Sequence, residues 1–203
     1  MRRRPGHKTA QLAAILGLDP PPLPVVWTAP EDREKAARLL PDGTPIIALG
    51  PTAGSRTKIW PPEHFAKLFH ALAAGPLPGA RAAIFAGPGT KEENLAAPLL
   101  AALPGAIDFR GTLSIPQAAA CLARCSLYIG NDSGLMHLAA ATGIPTLGLF
   151  GPTPWQEYAP AGRRTAIALS PTGKMDTLTV ADALAAATAL LHPPAVASHK
   201  TAP

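Results

Sequence analysis

Cysteine is scarce: the chain has only Cys121 and Cys125. They stand four apart on a helical pattern with no second pair to complete a zinc site. They read as core or half-buried thiols in a reducing compartment. No apolar run approaches the ~20 residues of a membrane span. Arg2, Arg3 and Arg4 follow Met1, but Pro5 and Lys8 interrupt, and no apolar core precedes a cleavage site. A signal peptide is therefore not indicated, and a cytoplasmic location is expected. No aromatic residues are interleaved with the basic cluster, which argues against nucleic-acid stacking and for a solvated arm. Internal repeats are missing too. So is G-x-G-x-x-G after the first apolar run, which removes a nicotinamide-dependent oxidoreductase. Gly54 is followed by Ser55-Arg56-Thr57 before Lys58, so there is no Walker loop. Ser133 sits in Asn-Asp-Ser-Gly-Leu, not in the G-x-S-x-G of a hydrolase elbow.

What remains suits one α/β domain with tails. The chain has 203 residues, 47% of them apolar, enough for a buried core. Proline is frequent, 25 residues, but much of it lies in turns and at the two ends. A net charge of +5 fits an anionic ligand without demanding one.

Apolar runs alternate with helical patterns. Ile46–Leu49, Ala82–Ala86, Ile107–Phe109, Ser126–Ile129, Thr146–Phe150 and Thr165–Leu169 read as strands. Between them, Phe65, Leu68, Phe69 and Leu72 share one helical face after Pro61-Pro62-Glu63. Leu95, Leu99 and Leu103 mark a second helix, with a kink expected at Pro98. Ser114-Ile-Pro-Gln117 opens a third as a capping box. Thr179 caps a last one through Val180, Leu184, Ala187 and Leu191. Ahead of the first strand, residues 7–16 form an amphipathic helix through Leu12, Ile15 and Leu16. Asp19–Pro24 is an extended linker, and Pro30-Glu31-Asp32 opens another helix. Such alternation implies a Rossmann-like parallel sheet with helices on both faces. Residues 1–44 read as lead-in, 45–191 as the domain and 192–203 as a disordered tail.

The unit at Ser126–Pro152 organises the rest. Strand, turn, helix and strand put Asn131–Gly134 at a strand's carboxyl end and a helix's positive end, where open α/β sheets bind phosphorylated ligands. Asp132 or Ser133 can cap that helix, and Gly143 can close it. Ser133 and Gly134 can turn N–H groups to a phosphate or simply form a first turn. His137, one turn on, is either a core histidine or a phosphate donor. The loop Gly50–Lys58 offers Gly54 for close backbone approach, Ser55 as a donor and Lys58 as a point charge. Lys58 can equally be a solvated loop lysine. Glu92 and Glu93 begin a helix, where acids favour the dipole or can chelate two ribose hydroxyls.

Three blocks carry a resemblance. Gly130-Asn131-Asp132-Ser133-Gly134-Leu135-Met136-His137 with Leu149-Phe150-Gly151-Pro152-Thr153 resembles the signature of glycosyltransferase family 9, which contains the lipopolysaccharide heptosyltransferases. Gly50–Ser55 with Lys58–Phe65 is the second block, and Phe85-Ala86-Gly87-Pro88 with Glu92-Glu93 the third. The resemblance spans residues 45 to 160 and covers only the second, donor-binding half of the two-domain GT-B architecture. It implies a metal-independent inverting transferase with an ADP-heptose-like donor, no other cofactor, and a lipid-linked saccharide acceptor at the inner face of the cytoplasmic membrane. It assigns Asp132 to the transferred sugar, His137 to the diphosphate, Glu92 or Glu93 to the ribose, and Thr112 to the base-side loop. The catalytic base is expected from a separate amino-terminal acceptor domain. This chain has Ala53-Gly54 where the better-known heptosyltransferases have two threonines. The alternative is a stand-alone nucleotide-sugar binding module without catalysis.

Overall fold

Within each strand, successive side chains face opposite ways, and the inner strands here are apolar on both sides. The computed structural model describes residues 6–192. Arg2–Arg4 and the expected tail from residue 193 lie outside the described residues. The strands are β1 (Ile46–Gly50), β2 (Arg81–Ala86), β3 (Ile107–Arg110), β4 (Leu127–Asn131), β5 (Thr146–Phe150) and β6 (Thr165–Leu169). They form one six-stranded sheet in the order β3-β2-β1-β4-β5-β6, and every pairing is parallel.

The helices divide between the faces. On one side, α3 (Pro62–Ala74), α4 (Thr90–Ala102) and α8 (Val180–Leu191) cover Ile47, Leu49, Ile84, Leu127, Ile129, Leu147 and Leu149. On the other, α2 (Pro30–Leu39), α5 (Ile115–Leu122) and α6 (Gly134–Thr142) cover Ile46, Ala48, Ala83, Phe85 and Tyr128. Phe65, Leu68 and Leu72 of α3 are fully buried, each contributing about 1.5–3 kcal/mol of hydrophobic stabilisation. This is the Rossmann-like parallel sheet expected from the alternation.

Local signals hold in detail. Ser114 accepts from the Gln117 amide and Gln117 Oε1 accepts from the Ser114 amide, so the capping box opens α5. Thr179 Oγ1 accepts from the Asp182 amide and starts α8. α4 runs on through Pro98. Gly143, at φ 88°, closes α6. Two expectations are modified. The amphipathic helix α1 (Lys8–Ile15) forms, but its apolar side chains Leu12, Ile15 and Leu16 stay exposed and only Ala13 is buried. The strand read as Ser126–Ile129 runs instead over Leu127–Asn131, pairing with β1 as far as Gly130 and with β5 as far as Asn131. Among the described residues, no helix is long and apolar enough to cross a membrane.

Candidate functional site

β1 and β4 lie side by side, with Gly50 level with Gly130. From β1 the chain passes to α3 on one face; from β4 it passes to α6 on the other. The two connections diverge and open a crevice at the carboxyl edge of the sheet, the switch point where such folds bind ligands. The loops at 50–58 and 130–137 therefore share one cleft.

Tyr128 forms the floor under that point. Its ring fills the space between the two strands that glycine leaves free. A Cβ on Gly50 would lie 2.0 Å from the tyrosine oxygen and one on Gly130 2.3 Å from it. Burial pushes the phenol pKa up, and the nearby Ser133 hydroxyl pulls it slightly back. Yet neither hydroxyl completes a hydrogen bond with another described residue. The Ser133 hydroxyl, on the wall of the cleft, is left as a donor for something bound there.

Asn131 ties the two loops together. It is fully buried; its Oδ1 accepts from the Trp60 amide at 3.0 Å and its Nδ2 donates to Pro51 O at 2.8 Å. Trp60, also fully buried, donates through Nε1 to Leu178 O at 2.9 Å. Residues 51–60 are thus held at both ends while the middle stays exposed. Asn131 and Tyr128 escaped the reading of the sequence. An amide that can serve both an N–H and a C=O, placed at the end of a buried strand, was the available signal for Asn131. Tyr128 left only Gly130, two residues on, as a local trace.

Lys58 lies on the one-turn 3-10 helix Arg56–Lys58, which Ser55 caps by accepting from the Thr57 amide. Its Nζ reaches Asp132 Oδ2 at 2.7 Å, with 33% of the lysine side chain exposed and 8% of the aspartate's. This decides the cap. Ser133 holds the first-cap position of α6 without a capping bond from its side chain, and the Asp132 carboxylate is turned instead to a lysine 74 residues away.

The cleft itself, about 260 Å³, is walled by Thr52, Ala53 and Gly54 from the first loop, Gly87 and Glu92 from the second, and Ser133, Gly134 and Leu135 from the start of α6. Of the residues singled out in the sequence, Gly54, Glu92, Ser133 and Gly134 converge here. Lys58 and Asp132 stand beside it. Ser55 is turned to the Thr57 hydroxyl at 2.9 Å. Glu92 lies against Gly87, whereas Glu93 lies against Gly111, so the two acids part company. Thr112, exposed, follows Gly111, which at φ 62° packs on Pro88. His137, one turn beyond Ser133, is exposed to solvent yet flanked by enough protein that desolvation lowers its pKa. The charge of Asp132 raises it, and His7 and Lys58 lower it. No three His, Cys, Asp or Glu side chains gather into a metal-binding group among the described residues.

A six-stranded parallel sheet with a cleft at its β1/β4 switch point and helices on both faces defines an α/β fold of the kind that makes up half of a GT-B glycosyltransferase. The chain belongs to glycosyltransferase family 9 (heptosyltransferase), whose family model matches residues 7–187. It is 34% identical over 140 residues to lipooligosaccharide heptosyltransferase 2 of Haemophilus influenzae, a match covering 66% of this chain and 39% of that protein. It is 30% identical over 144 residues to lipopolysaccharide heptosyltransferase 2 of Salmonella typhimurium, covering 65% of this chain and 40% of that one. In fold it is similar to a family 9 transferase from Veillonella parvula, with a TM-score of 0.81 at 22% identity over 94% of this chain and 62% of the other. Escherichia coli ADP-heptose lipopolysaccharide heptosyltransferase II gives 0.72 at 23% identity, covering 85% and 55%. The chain spans about two fifths of the length of the curated relatives it matches.

Proposed function

We propose that this chain is the donor-binding half of a metal-independent, inverting heptosyltransferase that takes heptose from ADP-heptose to a lipopolysaccharide core acceptor. The observation that carries this reading is the convergence of Gly54, Glu92, Ser133 and Gly134 on one cleft beside the Lys58–Asp132 pair. On this reading residues 45–191 hold the nucleotide-sugar and residues 1–44 lead in from an acceptor domain. The reaction runs where the acceptor is, at the inner face of the cytoplasmic membrane.

Each residue has a chemical task. The diphosphate lies over the start of α6, where the free N–H groups of the first turn and the helix dipole favour negative charge. Gly54 lets backbone approach it from the other side. Ser133 Oγ, with no partner among the described residues, donates to a phosphate oxygen. Glu92 accepts from the ribose hydroxyls. Lys58 is shared between Asp132 and the phosphate, and Asp132 faces the transferred sugar. His137, kept largely neutral near pH 7 by its lowered pKa, donates an N–H without adding charge. When the acceptor hydroxyl attacks the anomeric carbon, the bond to the diphosphate breaks and the departing oxygen gains charge. These donors stabilise it, while a carboxylate of the acceptor domain takes the proton.

Calorimetry with ADP and an ADP-sugar, beside a transfer assay, tests this. Binding of both ligands supports the donor site. Binding without transfer by the isolated chain favours the alternative, a stand-alone nucleotide-sugar binding module without catalysis. No binding of either removes the reading.

A further inference from the structure

Tyr128 is a buried polar group that the donor chemistry above does not use. It is fully buried, on the face of the sheet that α5 and α6 cover. Successive residues of a strand alternate between faces, so Tyr128 and Gly130 share this one. The tyrosine ring runs along the strand towards its carboxyl end. Its oxygen stands 2.3 Å from where a Gly130 Cβ would lie and 2.0 Å from the same point on Gly50. From Gly130 the chain goes on to Ser133, the cap residue of α6, whose Met136 and Ala139 pack in the same cluster as Tyr128. The phenol thus reaches from the core towards the start of the helix that walls the cleft. Burial raises the phenol pKa and keeps it protonated, and the side chain that acts on it is Ser133. Neither the phenol nor the Ser133 hydroxyl has a hydrogen-bond partner among the described residues, although buried hydroxyls are nearly always paired.

We propose that Tyr128 is a positioning residue of the donor site: its O–H donates to Ser133 Oγ, which turns the Ser133 proton out to a phosphate oxygen of the bound nucleoside diphosphate. The role rests on the donor reading above, in which Ser133 meets the phosphate. A serine hydroxyl has one proton to give and two lone pairs. Given inward to the phenol, that proton is lost to the ligand, and only lone pairs face the negative phosphate. Given outward, it leaves a lone pair of Oγ facing the core, where a donor is needed. A phenol is more acidic than an aliphatic alcohol, so of the two hydroxyls it is the better donor. In the relay from Tyr128 O–H to Ser133 O–H to phosphate, each bond polarises the next, and the anion at its end strengthens both. The serine hydroxyl rotates about two single bonds. A phosphate entering the cleft therefore draws it into line with a phenol that the glycines at 50 and 130 already leave room for.

Calorimetry with ADP on the full chain, across wild type, Tyr128→Phe, Ser133→Ala and the double variant, tests this. Phenylalanine keeps the ring between Gly50 and Gly130 and removes the hydroxyl alone. Tyr128→Phe should weaken ADP binding about three- to tenfold, the worth of one uncharged hydrogen bond. In the Ser133→Ala background the same change should cost less than about twofold, because the relay is already cut. Melting temperature should not fall in Tyr128→Phe, which removes a buried hydroxyl without a partner among the described residues. Raman spectroscopy gives a second readout. The chain has two tyrosines, so Tyr158→Phe leaves Tyr128 as the only one. The intensity ratio of its ring doublet falls when the phenol donates a strong hydrogen bond; ADP should lower it, and Ser133→Ala should abolish that change. The proposal is overturned if Tyr128→Phe leaves ADP affinity within about twofold, if its cost is the same in both backgrounds, or if ADP leaves the doublet unaltered. A wild-type chain that binds no ADP brings down the donor reading and this role with it, whereas ADP binding with an additive cycle removes the role of Tyr128 alone.

Discussion

Lys58→Ala tests the cradle most directly, because it separates a structural ion pair from a ligand contact. In the free protein the lysine ammonium lies 2.7 Å from Asp132 Oδ2. A hydrogen bond to a charged group is worth about 1.5–3 kcal/mol when well shielded. Here a third of the lysine side chain is exposed, so solvent trims the folding contribution to about 1 kcal/mol. Removal also leaves the Asp132 carboxylate, only 8% exposed, without its counter-charge beside the proposed diphosphate site. Loss of attraction then combines with unscreened repulsion. ADP binding should weaken by about 1.5–3 kcal/mol, roughly 10- to 150-fold. Calorimetry at low and moderate ionic strength, paired with thermal melting, reads both effects. Asp132→Asn completes the comparison: with its competitor neutralised, Lys58 answers to the phosphate alone, so ADP affinity holds or rises while the ADP-sugar loses its preference over ADP. If Lys58→Ala lowers the melting temperature but leaves ADP affinity within twofold, the lysine serves the fold only and the cradle argument is wrong.

Three further outcomes follow from the same geometry. Gly50→Ala drives a methyl to within 2.0 Å of the tyrosine oxygen and should cost about 1–3 kcal/mol or more in urea unfolding; the same change in a Tyr128→Leu background costs less, and equal costs in both would show that the ring is not the obstacle. His137 is held below its ordinary 6.5 by desolvation, so the folded protein binds fewer protons there than the unfolded chain. Its contribution is complete above the unfolded value and is lost as pH falls below about 6.5. Melting temperature should therefore decline less between pH 7.5 and 5.5 in His137→Gln, whereas an identical profile would exonerate this histidine. Burial pushes the Cys121 thiol up to about 11 and raises Cys125 as well. Iodoacetamide at pH 8 should leave both unmodified until urea is added, and rapid labelling of the folded chain would contradict their burial.

The sheet and its helices were legible because their signals are local. Ile46–Leu49 and Thr146–Phe150 announce themselves as short apolar runs ended by glycine, and Ser114 and Thr179 as caps with their partners three residues on. What stayed hidden depended on distant residues. Whether Asp132 or Ser133 capped α6 could not be read locally, because the deciding lysine is 74 positions away. Glu92 and Glu93 look equivalent as neighbours in a first turn; only their packing on Gly87 and Gly111 tells them apart. Asn131 shows its role only when Trp60 and Pro51 are brought against it. The apolar stripe of α1 promised a buried face that the described residues do not cover.

Positions 50, 128 and 130 can drift only as a set. A lineage that keeps an aromatic at 128 must keep both neighbours bare, and one that shrinks it opens a hollow beneath the crevice between β1 and β4. Directed evolution aimed at new donors should therefore randomise these three codons together, since a side chain added at 50 or 130 alone meets the Tyr128 ring.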